Sequence, residues 1–445
     1  MRGRLAEWIR PKWLRPAAVA ALVGALALGG LADSLSDAAS ALGDRDLLVR
    51  WSARFAGAER DAIPVTLIDF DAATMAALGA PDRVPRAALA GLVDLLAAKS
   101  LIAAKSLLAA KPTAGAMIDL DLSRPGPDPA ADAALSAALA RWPAGAPPLA
   151  LALRFRGEGE GLSPSLPFMA AALAGKPNLR LAASLALTDG DGVVRRWRLD
   201  QPVCAGAPRV YPSPQLVAAA ARRAPGDLDA YLSQRADEAC GKRANDAPGW
   251  PRNPAREAAI SFLFGAQGDA AGLFRRISAR TLLDASGAAL ASARVADAPF
   301  AGRFVIVGAS HDEAFDDHMT PLGRMPGAVV AANAIAGAPA ILDAAPLGPL
   351  GKTGLAMALF AVMAAVSARL RASVAGLLVS LICLAALPLL GRALAPSSAL
   401  EVVAAALALL AAFAGVQSLI DVVVAWRAGL RWRALLKPRA APEPD

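Results

Sequence analysis

Hydrophobic and polar positions follow two rhythms along this chain, a short one in the middle and a long one at the ends. In the middle, brief apolar runs bounded by turn residues alternate with stretches of helical periodicity. PVTLIDF (64–70), AMIDLDL (116–122), LALALRF (149–155) and FVIVGAS (304–310) read as strands of the buried type. RAALAGLVDLLAAKSLIAAKSLLAA (86–110) and DPAADAALSAALARW (128–142) read as helices, the second opened by an Asp-Pro start. The smooth run after Gly327 predicts a helix over 328–336. Strands separated by helices predict an α/β domain with a largely parallel sheet and flanking helices.

Toward the ends the apolar runs lengthen to membrane scale. Residues 17–33 are uncharged until Asp33 and follow a basic segment, 1–16, that holds Trp8 and Trp13. This run reads as a retained anchor or as a secretory signal cut after Ala32; both send the chain across the membrane. Segments 353–368, 372–391 and 402–425 are the other expected transmembrane helices. Basic flanks at 1–16, at Arg369 and Arg371, and in the tail 426–445 alternate as the positive-inside rule requires. The prediction is a multi-pass protein of a bacterial inner membrane, with both termini cytoplasmic and residues 34–350 outside. Asp421, in the last apolar run, is read as an interfacial charge paired near the surface.

Composition changes this picture little. The chain has 445 residues, 56% of them hydrophobic, and a net charge of +8. The basic residues cluster at the termini, which fits anionic lipid better than nucleic acid, and no zinc-finger or helix-turn-helix spacing is present. Lys99, Lys105 and Lys111 recur every six residues; six residues turn a helix through about 600°, so these lysines are expected to walk around its surface. Cys204 and Cys240 lie in the outside segment and read as one disulfide or as two free buried thiols. The stretch between them and on to 256 reads as a loop-rich insertion.

The densest motif is VIVGASHDEAFDDHMTPLGRMPGAVVAANAI (305–335). It resembles the closing motif of the type-two CHASE sensor domain, the extracytoplasmic module of cyclases and histidine kinases. The matching positions are Gly308, Ala309, Asp316, Thr320, Pro321, Leu322, Gly323, Pro326, Gly327, Ala332 and Asn333. Earlier pieces match in order: VTLIDFDAATMAALG (65–79), IDLDLSRPGPDPAADAALSAAL (118–139) and SLALTDGDGVVRRWRL (184–199), the last carrying Asp189, Asp191, Gly192, Val193 and Arg195. The resemblance covers about residues 45–340 and implies a sensory domain held at a membrane. Such domains commonly lead into a kinase or cyclase. No nucleotide loop or phospho-accepting histidine helix occurs in this chain, so the expected output is a separate signalling effector.

Two sets of residues then stand out. Thr320, Pro321 and Gly323, with Pro326 and Gly327, read as rigid turns coupling the last strand to the following helix. Asp69, Asp71, Asp119, Asp121 and Asp316 follow apolar strands, and ligands of open parallel sheets sit beyond the carboxyl ends of strands. These carboxylates read as a ring for a cation or a polar ligand, or as turn caps and helix N-terminal charges. A phosphatase of the haloacid-dehalogenase type, built on Asp69 and Asp71, is the competing enzyme reading; a membrane structural subunit is the third. His311 and His318, the chain's two histidines, lie in the same loop with Asp316 and Asp317, an arrangement that could hold zinc. No catalytic residue, metal or cofactor is expected. The expected partners are membrane lipid, a small-molecule or envelope signal and the effector, with a homodimer left open.

Overall fold

The computed structural model describes residues 61–369, with breaks at 81, 106–113, 157–162, 174, 205–207, 224–225, 242–256, 267–271, 291–298, 312–315 and 343–348, and a few single positions beyond. The chain divides into two compact units, one containing Asp46–Pro346 and the other containing Leu347–Gly391.

In the first unit the chain forms β1 (Val65–Phe70), α1 (Ala72–Ala77), α2 (Arg86–Lys105), β2 (Gly115–Ile118), α3 (Pro129–Ala140), β3 (Leu149–Arg156), β4 (Ser163–Ser165), α4 (Ala170–Leu173) and β5 (Leu179–Ala183). Then come β6 (Ala186–Thr188), β7 (Val194–Arg198), β8 (Asp200–Val203), β9 (Arg209–Pro212), α5 (Pro214–Ala220), α6 (Asp227–Ala239), β10 (Glu257–Ala259) and β11 (Phe274–Ser278). It closes with β12 (Phe304–Ala309), β13 (Asp317–Thr320), β14 (Gly323–Pro326) and α7 (Gly327–Leu342).

The main sheet runs β11-β1-β12-β2-β3-β4, with β5 also on β3. All of its pairings are parallel except β3 with β4. All six positions of β1 and of β12 are buried, as strands covered on both faces require. Alternation divides them. Val65, Leu67, Phe304 and Ile306 join α5 and α7 in one core, while Ile68, Phe70, Val305 and Val307 join α2 and α3 in the other. The expected mixed α/β architecture with a largely parallel sheet is therefore observed.

The last sheet strand enters between the first two, so β12 separates β1 from β2. From it the chain passes through the hairpin β13–β14 into α7. This helix runs against the strands across their full length. At the carboxyl edge, a Cβ added to Gly308 would lie 2.7 Å from the Ala328 Cβ; at the amino edge, the Ile63 amide donates to the Ala336 carbonyl at 3.1 Å. Asn333 fastens its middle. The Asn333 Oδ1 accepts from the Leu263 and Phe264 amides at 2.8 and 3.1 Å, and its Nδ2 donates to the Phe264 carbonyl at 3.1 Å. Gly337 then lets the helix close on Ser261, whose Cβ would be 2.6 Å from an added methyl.

Two expectations are corrected. The described residues between the cysteines form β9, α5 and α6 rather than loop: Ser213 caps α5 by accepting from the Leu216 amide at 3.3 Å, and Leu216, Val217 and Ala218 are fully buried, while 242–256 of the expected insertion lie outside the described residues. A seven-residue helix buried almost throughout has no polar face to reveal its period, whereas the cap and the Pro at the helix start were its visible signals. Lys99 is buried rather than solvated, because α2 packs against the sheet on one side and α3 on another. The Lys105 and Lys111 side chains fall outside the described residues. Cys204 and Cys240 form a disulfide, with Cα atoms 5.5 Å apart, that ties the end of β8 to the end of α6.

In the second unit, α8 (Pro349–Arg369) contains the expected segment 353–368. Among the described residues, no helix is long and apolar enough to cross a membrane. The expected segments 17–33, 372–391 and 402–425, and with them Asp421, fall outside the described residues apart from single helical positions.

Candidate functional site at the carboxyl edge of the sheet

The sheet register aligns a row of polar positions. Asp69 pairs with Ser278 on β11 and with Gly308 on β12. Asp119 follows β2 directly and donates its amide to the Val307 carbonyl at 2.8 Å, which places it beside Gly308 on the other side. Asp69 and Asp119 thus share the α7 face of the sheet, one strand apart, about 10 Å by strand spacing. Gly308 between them leaves the notch that receives the first turn of α7.

Asp69 is buried and half-satisfied. Its Oδ2 accepts from the Arg276 Nε at 2.8 Å and Nη2 at 2.6 Å, and from the Ser310 Oγ at 2.8 Å. The Arg276 Nη2 also reaches the Ser310 Oγ at 2.5 Å. Its Oδ1 is buried and finds no partner among the described residues. His311, next on the same loop, donates from Nδ1 to the Phe70 carbonyl at 3.1 Å, and its buried Nε2 likewise finds no partner among the described residues. Two buried polar atoms without protein partners at one strand edge are a cost that a bound polar group would remove.

On the other side of the notch, Asp119 and Asp316 repel each other. Protein packed around the Asp119 carboxyl, with the Asp316 charge added, pushes its pKa up to about 6, against the pull of Arg154, His318 and a hydrogen bond with Ser184. The His318 Nε2 meets the Asp316 Oδ1 at 3.2 Å, and this hydrogen bond holds the imidazole above its ordinary pKa despite burial. The Asp316 carbonyl accepts from the Gly327 amide at 2.6 Å, and a Cβ on Gly327 would lie 2.2 Å from the Asp316 Oδ2. Gly327 is therefore glycine because a carboxylate occupies the space at the start of α7, where the helix dipole favours negative charge.

The other two predicted carboxylates stay local. Asp71 caps α1, accepting from the Thr74 amide at 2.8 Å, the Thr74 hydroxyl at 2.6 Å and the Ser278 hydroxyl at 3.0 Å. Burial would raise its pKa, but these hydrogen bonds outweigh it and lower it. Asp121 closes a turn onto the Ser123 amide at 2.9 Å, and its pKa too is lowered by Ser123 against the opposing effect of burial. The site thus gathers Asp69, Asp119 and Asp316 and leaves Asp71 and Asp121 as caps. The sequence reading missed Arg276, Ser310, Arg154 and Ser184. Only strand register brings an arginine of FRRIS beside Asp69, so no local pattern could have flagged it.

The turn residues also separate. Thr320, Pro321, Leu322 and Gly323 form the tip of the β13–β14 hairpin; the Thr320 Oγ1 donates to the Gly323 carbonyl at 2.6 Å, and Gly323 has φ +101°. Pro326 and Gly327 join β14 directly to α7, which begins one residue earlier and ends six residues later than expected. The Asp189–Arg195 motif is a closed hairpin. Arg195 contacts Asp189 at 3.0 Å and Asp191 at 2.7 Å, and Gly192 turns the chain at φ +81°. Among the described residues, no group of three or more His, Cys, Asp or Glu side chains is arranged to hold a metal.

The carboxyl edge of this parallel sheet thus holds unpartnered polar groups beneath the start of α7. The CHASE2 domain model matches residues 17–367, most of the chain, and the protein belongs to this family of extracellular sensory domains. No curated protein and no solved structure matches the chain.

Proposed function

We propose that this protein is a membrane-held receptor whose outside domain detects a small polar signal at the carboxyl edge of its sheet and reports it along α7. The observation that carries this reading is the pair of buried, unpartnered atoms, Asp69 Oδ1 near the end of β1 and His311 Nε2 in the loop after β12. A ligand donating to Asp69 and bridging toward Asp316 would differ in free energy between two positions of the first turn of α7, which is the requirement for a population shift. At 16 residues, α7 is about 24 Å long. It carries a displacement from that edge to the amino edge near Ile63, from which the chain continues to residues 353–368.

In this reading residues 17–33, 353–368, 372–391 and 402–425 span the inner membrane of a bacterium, and both termini are cytoplasmic. The Trp- and Arg-rich segment 426–445 meets anionic lipid and a signalling effector. The domain is not itself catalytic. Asp71 is held by Thr74 and Ser278 as the cap of α1, so the second carboxylate of the phosphatase reading is engaged in structure.

The topology is tested with Leu166→Cys, at an exposed hydrophobic position. A membrane-impermeant maleimide should label it in spheroplasts without lysis; labelling only after lysis sinks the receptor reading. For the site, hydrogen exchange of residues 327–342 in the full chain should change on adding envelope extract, and Asp69→Asn should remove that change.

A further inference from the structure

The start of α7 is held by ionisable groups that come from separate elements. Asp119 follows β2, Asp316 precedes β13, and His318 lies within β13, opposite Met325 of β14. Asp316 grips the helix twice. Its carbonyl accepts from the Gly327 amide at 2.6 Å, and its carboxylate fills the space that a Gly327 side chain would need. The other side of that carboxylate meets the His318 Nε2 at 3.2 Å. Held between His318 and Gly327, Asp316 passes a push from Asp119 to the first residue of α7.

We propose that Asp119, Asp316 and His318 form a proton-operated catch on α7, closed while Asp119 is neutral and His318 is charged, and released when both have lost their protons. In the closed state the imidazolium answers the Asp316 carboxylate, and Asp119 adds no charge. In the released state two carboxylates repel each other beside a neutral imidazole. The balance is set in the right range. Burial and the Asp316 charge push the Asp119 carboxyl up to about 6, and the hydrogen bond with Asp316 raises the His318 imidazole above its ordinary 6.5. Both pKa values are raised, so the closed state is complete in acid and is lost as pH climbs through them.

The neighbouring charges are engaged elsewhere or act on the whole cluster. Arg154 of β3 acts on both Asp119 and His318, and Ser184, after β5, hydrogen-bonds Asp119. Asp317 meets Arg324 of β14 at 2.9 Å, and Arg195 of β7 meets Asp189 and Asp191. Across the notch, Asp69 is paired with Arg276, and His311 is bonded to the Phe70 carbonyl. The sequence of α7 itself contains no ionisable side chain. That release of the helix start is a signal rests on the receptor reading above; its dependence on protons does not.

The test is hydrogen exchange of the full chain in detergent at pH 5 and pH 8, expressed as protection factors so that the chemical pH dependence of exchange drops out. Protection of residues 327–331 should fall about tenfold or more from pH 5 to pH 8, while residues 336–342 at the far end of the helix hold theirs. Asp119→Asn keeps the shape and removes the ionisation; it should cut the change to about threefold or less. His318→Gln keeps a donor for Asp316 without the charge and should remove part of the change. Thermal unfolding confirms that each variant is folded. No loss of protection in 327–331, an equal loss at both ends of α7, or a full loss that persists in Asp119→Asn would each overturn the catch. No ligand and no membrane orientation enters this measurement. Its failure therefore leaves the receptor reading in place, and failure of the spheroplast labelling leaves the catch in place.

Discussion

Two acidic clusters of similar composition sit in one domain and do opposite things. In the β6–β7 hairpin, Asp189 and Asp191 meet Arg195 and Arg196 at 2.7–3.2 Å, and Arg196 goes on to Glu257 at 2.6 Å. Each charge is answered within a few residues or across one strand pair, and Asp191 is held down to about 2, mainly by the Arg195 side chain. At the carboxyl edge, Asp119 and Asp316 face each other with one imidazole between them, and Asp69 spends one oxygen of two. Carboxylates that are fully paired locally make structure. Carboxylates brought together from distant strands, with pairing left incomplete, make a place where something can bind.

The largest break in this comparison comes from Arg276. Arg276→Ala leaves the Asp69 carboxylate buried without its cation and should cost about 3–5 kcal/mol, seen as a shifted denaturant midpoint of the full chain. If the loss were no larger than that of a surface pair, Asp69 would have to be reached by water and the site would be open rather than enclosed.

Asp119→Asn should act in the opposite sense. Its pKa of about 6 lies above the ordinary 3.8, so the folded protein holds a proton that the unfolded chain releases between these values. Stability then falls as pH rises through that window, and the asparagine variant should be more stable than the natural protein at pH 7 by about 1–3 kcal/mol and equal to it near pH 4. His318 adds to the same trend, because a raised imidazole pKa contributes stability below pH 6.5 that is lost as pH climbs through its folded value. Asp71 and Asp121, both lowered, contribute above 3.8 and lose it below. These groups together place the most stable pH near 4–5. A thermal unfolding series from pH 3 to pH 8 showing a steady rise toward pH 8 would contradict the coupled cluster.

Gly308→Ala sharpens the link between the site and α7. The new methyl meets the Ala328 Cβ at 2.7 Å, so the helix start must shift, at about 1–3 kcal/mol. Hydrogen exchange should rise first in residues 327–331. The smallest effect belongs to Arg195→Ala. Its partners remain near solvent or keep Arg196, so the midpoint should move less than for any variant above, and the difference should shrink in high salt.

Much of this was legible in the chain. The strands 65–70, 149–156 and 304–309 sit within a residue of the expected runs, because a strand buried on both faces is apolar throughout and turn residues mark its ends. The family too was readable, since its motifs are turns, and turns demand particular residues: Gly323 for positive φ, Gly327 for the space taken by Asp316. Less legible were α5 and α6 and the three-stranded sheet. α5 is short and buried nearly throughout, so it has no polar face to mark its period, while α6 buries only Leu228 and Tyr231 and is otherwise largely polar.

By itself the amino-acid order determined the alternation of strand and helix, the acidic residues that follow the strands and the turn chemistry before α7, because each depends on neighbours a few residues apart. Only the folded chain decided which carboxylates meet. Inserting β12 between β1 and β2 sets Asp69 and Asp119 on either side of Gly308, and parallel register brings Arg276 to Asp69 across 207 residues of sequence. Charges interact through space, over distances of a few ångströms, and strand order is what turns separation along the chain into proximity.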